Sequence, residues 1–129
     1  MDYAKLQEIQ TAIVNTAIFN STNVILGQDF EISTRRLPMC IIKQGPGNVN
    51  STESKFTVHV MALFYDATNI EKTICDNLRT IVLALRQIQA VVPGFYTTDS
   101  DILQPFGIVI EPVQPFGGFR LDCEVTTYL

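Results

Sequence analysis

The chain has 129 residues, 47% of them hydrophobic and 17% charged, enough for one domain burying about two thirds of the surface its unfolded form exposes. A net charge of -4 and a sequence pI of 4.8 argue against a protein that grips nucleic acid through its phosphates, because that needs a basic surface. No apolar run approaches the roughly 18 residues of a membrane span, and no charged-then-apolar leader follows Met1, so a soluble, non-secreted protein is expected.

The first element in chain order is a helix from Asp2 to about Phe19, with Leu6, Ile9, Ile13 and Ala17 on one face and Asp2 placed to cap its start. Val14 and Ile18 fall toward the other side and leave some apolar surface over. Asn20 to Asn23 breaks the pattern and Gly27 marks a turn. Gln28 to Leu37, where Phe30 and Ile32 alternate with polar neighbours, reads as a short strand or an extended segment.

Pro38 to Gln44 is a brief β-rich run that Gly45-Pro46-Gly47-Asn48 stops, and Lys55 to Tyr65 is the clearest strand. Phe56, Val58, Val60, Ala62 and Phe64 alternate there with Thr57, His59, Met61, Leu63 and Tyr65, and both sides turn apolar toward the end. Between the two strands lie ten residues, GPGNVNSTES, whose lone apolar side chain is Val49; a long, mobile hairpin tip is expected.

A second helix is expected from Ile70 to Ala90, begun by Thr68 with Glu71 at capping-box spacing. Ile70, Ile74, Leu78, Ile81, Leu85 and Ile88 make its apolar stripe, while Leu83 points out among Lys72, Asp76, Arg79 and Arg86. Val91-Val92-Pro93-Gly94 ends it, and Tyr96 to Asp101 reads as loop. Ile102 to Gln114, with Ile108, Val109 and Ile110 between two prolines, reads as an edge or bulged strand. After a turn at Gln114 to Gly118, Phe119 to Leu129 alternates cleanly. Phe119, Leu121, Cys123, Val125 and Thr127 face inward; Arg120, Asp122, Glu124, Thr126 and Tyr128 face outward.

The order α-β-β-α-β-β predicts a single α+β domain over 1–129: a four-stranded, largely antiparallel sheet with two helices packed on one face and the other face uncovered. Cys40, Cys75 and Cys123, an odd number with apolar neighbours and no C-x-x-C pair, read as buried free thiols in a reducing compartment.

The residues do not converge on a reaction. His59 is the only histidine, so neither a nucleophile with its base nor a zinc site assembles around it. Asp99 and Asp101 lack the ligand pattern of a calcium loop. Gly45-Pro46-Gly47 does not lead from a strand into a helix with a lysine behind it, as a phosphate loop would. Arg35 and Arg36 beside Glu31 read as a solvated edge or an interface pair. No catalytic residue, cofactor or metal is expected, and the chain is not read as an enzyme. Phe106 and Phe116, in turns beside Gly and Pro, would join Leu63, Tyr65 and Leu83 in a patch large enough to ask for a partner. With Val49, Tyr128 and Leu129 of the tip and the final strand, these are the candidate protein-interface residues.

The whole-chain pattern resembles the tail terminator, or tail completion, proteins of long-tailed bacteriophages. The features that carry it are the amphipathic opening helix, a short strand after Leu37-Pro38, the hairpin into KFTVHVMALFYDA, the long helix, and a strand rich in Ile and Val that turns through PFGGF into FRLDCEVTTYL. The resemblance implies a structural virion protein assembled in the host bacterial cytoplasm, a homo-oligomeric ring of six copies that caps the tail tube and ends its polymerisation. Its implied partners are further copies of itself, the tail tube protein and a head-side neck or connector protein, with DNA passing through unbound and no membrane involved. A related head–tail joining or tube subunit, or a small ligand-binding α+β domain, are the alternatives.

Overall fold

The computed structural model describes residues 3–27, 37–97 and 116–128. In chain order these form helix α1 (Tyr3–Asn15), a 3-10 turn (Ser21–Asn23), strands β1 (Val24–Leu26), β2 (Met39–Val49) and β3 (Glu53–Tyr65), helix α2 (Ile70–Leu85), and strands β4 (Val91–Thr97) and β5 (Phe116–Tyr128). The class is α+β, with a mixed sheet of five strands in the order β1-β2-β3-β5-β4. Only β1 runs parallel to its neighbour β2; the other pairs are antiparallel. The expected four-stranded sheet lacks β1, three apolar residues too few to show a period, and β4, expected as a helix stop and loop, while its own strand at 102–114 lies outside the described residues.

Helix α1 buries Leu6, Ile9 and Ile13 as its spacing requires, but it stops four residues short of Phe19. Thr16 bends back to donate its hydroxyl to the Ile13 carbonyl, and Ala17 takes the left-handed conformation common just past a helix end, so it is exposed rather than on the stripe. Ending there turns Phe19 into the core, where its ring stacks on Phe64 with centroids 5.6 Å apart. Asp2 lies outside the described residues. In the next turn, Asn20 accepts from the Thr22 amide, which fixes the entry to β1.

Strands β2 and β3 form a longer hairpin than the sequence suggests. Both arms continue past the glycines to Val49↔Ser54, with one register break between Gln44 and Gly47, so the tip contracts to a turn at residues 50–52. Asn50 closes that turn, its side-chain oxygen accepting from the Thr52 and Glu53 amides at 2.9 Å each. The expected long mobile tip is thus overturned: Gly45, Pro46 and Gly47 are bulge residues inside a strand, tolerated because β2 has no neighbour on that stretch of its outer side among the described strands.

Helix α2 begins one residue later than the capping-box spacing implies. Asn69 is the cap, accepting from the Lys72 amide at 3.1 Å, while Asp66 takes the Thr68 and Asn69 amides and the Thr73 hydroxyl. The helix ends at Leu85, five residues before Ala90. The chain then turns tightly through Ala90, whose carbonyl receives the Thr126 amide, and enters β4 directly. Pro93 and Gly94, expected as stop signals, instead make a register break in β4, which is outermost in the sheet among the described strands. Part of the expected loop at Tyr96 to Asp101 is therefore strand, and the strand expected at Ile102 to Gln114 lies outside the described residues, as do 28–36.

The core lies between sheet and helices. Phe56, Val58, Val60, Ala62 and Phe64 of β3 and Phe119, Leu121, Cys123 and Val125 of β5 are buried on the helix side, beneath Ile70, Ile81 and Leu85 of α2. Ile74, Leu78 and Ile88 are half-buried against the same cluster. Gly117 shows how close α2 comes: a Cβ there would stand 2.7 Å from Ile74 Cδ1. The far side of the sheet is not uncovered, as expected, but buried at one end, where Met39, Ile41, Met61 and Leu63 lie together in register with almost no exposure. Leu63 is accordingly a core residue and leaves the list of interface candidates.

Candidate assembly surface

Strands β3 and β5 pair over thirteen consecutive positions, from Glu53↔Tyr128 to Tyr65↔Phe116. At about 3.4 Å per residue this ladder spans roughly 40 Å, the longest rigid feature of the described chain. Its two ends carry most of the exposed apolar candidates.

At one end Tyr65 closes β3 with 56% of its surface exposed, and its ring meets that of half-buried Phe116 edge-on at 5.2 Å. At the other, Tyr128 is 78% exposed on the far side of the sheet, and Val49, 68% exposed, points to the helix side beside Ser54. The start of α1 reaches this same end, because Lys5 donates to the Gln89 carbonyl just before the turn into β4, and exposed Tyr3 lies one half-turn earlier. Leu83 is exposed on the outer face of α2, apart from both groups. Phe106 and Leu129 lie outside the described residues. The sequence reading missed two exposed apolar side chains, Tyr3 and Val92. Tyr3 stands three residues before Leu6, at stripe spacing that hides its exposure, and Val92 was hidden by reading β4 as a helix stop.

The middle of the far side is polar. Lys43, His59 and Asp122 sit in one cross-strand row, with His59 Nδ1 2.6 Å from Asp122 Oδ1. Arg120 Nε lies 3.3 Å from the same oxygen, close enough for attraction but without hydrogen-bond alignment, so this buried N–H has no hydrogen-bond partner. The His59 ring fills the hollow opened by the β2 bulge: a Cβ on Gly45 would come within 2.6 Å of Nε2. Both side chains keep about a quarter of their surface in water, so solvent partly screens the pair.

Chemistry does not gather around it. Among the described residues no three His, Cys, Asp or Glu side chains come together as metal ligands. Asp99, Asp101, Arg35 and Arg36 lie outside the described residues. A shallow recess of about 240 Å³ between Thr57, Val92, Gly94, Asp122, Cys123 and Glu124 is smaller than most ligand pockets, and of its two carboxylates Asp122 is already engaged by His59. Cys40 and Cys123 are buried thiols, as expected. Burial drives the Cys40 thiol far upward, and burial followed by the Asp122 charge pushes Cys123 up to about 12, so neither is a nucleophile at neutral pH. Cys75 departs from expectation: it is exposed on α2, because the stripe carried by Ile74 and Leu78 turns its neighbour outward.

No described helix is long and apolar enough to cross a membrane. No protein-family model matches the chain, and no curated protein does.

Proposed function

We propose that the protein is a ring-forming structural subunit of a long-tailed bacteriophage, a tail terminator that caps the tail tube, ends its polymerisation and presents a surface to the head-side connector. The observation that carries this reading is the placement of exposed apolar side chains at both ends of the β3–β5 ladder, with no metal-ligand cluster among the described residues. A closed ring of like subunits needs two different surfaces on each copy, and the two ends of the ladder carry different exposed apolar side chains. The net charge of -4 supports it too, since a ring around a DNA channel works best when phosphates are not held.

The test is to incubate purified protein with isolated tail tubes and image them by negative stain. Rings seated on one end of tubes that no longer lengthen are expected. Tubes that grow longer would identify a tube subunit instead, and bare tube ends with free monomer would defeat the reading.

A further inference from the structure

We draw no further inference here: the strongest candidate, the cluster of Lys43, His59, Arg120 and Asp122 in the middle of the far side of the sheet, carries none, because its one carboxylate is already shared by His59 and Arg120 and nothing among the described residues points to a ligand there.

Discussion

Along β3 and β5 the side chains turned toward the helices are apolar from end to end, Phe56 through Phe64 and Val125 through Phe119, whereas those turned away change character every few positions. The far side begins with buried Met61 and Leu63, passes through His59, Asp122 and Arg120, and finishes with exposed Glu124 and Tyr128. A uniform face is built to hold the fold together. The far face is buried near one end and exposed at the other, and even at the buried end exposure rises abruptly, from buried Leu63 to exposed Tyr65 two residues on.

Substitutions can break that comparison or sharpen it. The largest effect is expected where both faces are buried: Leu63→Ala and Phe119→Ala, on opposite sides of the sheet, should each cost about 2–5 kcal/mol in urea unfolding. A Leu63→Ala loss below about 0.5 kcal/mol, within the range of surface changes, would mean that the far side contributes no core. Gly118→Ala should be next, at about 1–3 kcal/mol, because the added Cβ meets the Ala62 carbonyl oxygen, a backbone atom that cannot swing aside. Asn69→Ala should cost about 1 kcal/mol through loss of the α2 cap, and a matching change at Thr68 should cost less. In the polar middle, a double-mutant cycle between His59→Ala and Asp122→Ala should return about 0–1 kcal/mol, well below the apolar sites on either side.

The smallest effect is a pH dependence at the Tyr65 end. The Thr73 hydroxyl, then the Asn69 and Thr68 amides, hold the Asp66 carboxyl below its ordinary value. A carboxyl lowered in the folded state stabilises the fold above its unfolded pKa of about 4, and that contribution disappears as pH falls through the lower folded value. Thermal melts of Asp66→Asn against wild type should therefore differ at neutral pH and converge in acid. A difference that grows in acid would reverse the assignment.

The sequence made the helix-side face legible because strict alternation over Phe119 to Val125 and three-and-four spacing over Leu6 to Ile13 each report one buried side. It failed where local signals admit two outcomes. Pro93-Gly94 reads equally as a helix stop and as a bulge in an edge strand, and only the pairing with β5 decides. The glycines at 45 and 47 read as a loop tip, yet they let a strand continue past a histidine ring. β1 is three residues long, too short for any period, and depends on β2 for its hydrogen bonds. Of the surface, Val49, Tyr65, Leu83 and Tyr128 were readable as apolar residues off every stripe. Their grouping at two opposite ends was not, since it depends on the thirteen-position register of β3 with β5.

Mass measurement by light scattering across a dilution series of the purified chain tests assembly through these ends most directly. A closed oligomer of fixed mass, lost in Tyr65→Asp and kept in Leu83→Asp, is the result expected. A mass equal to one chain at every concentration would contradict it.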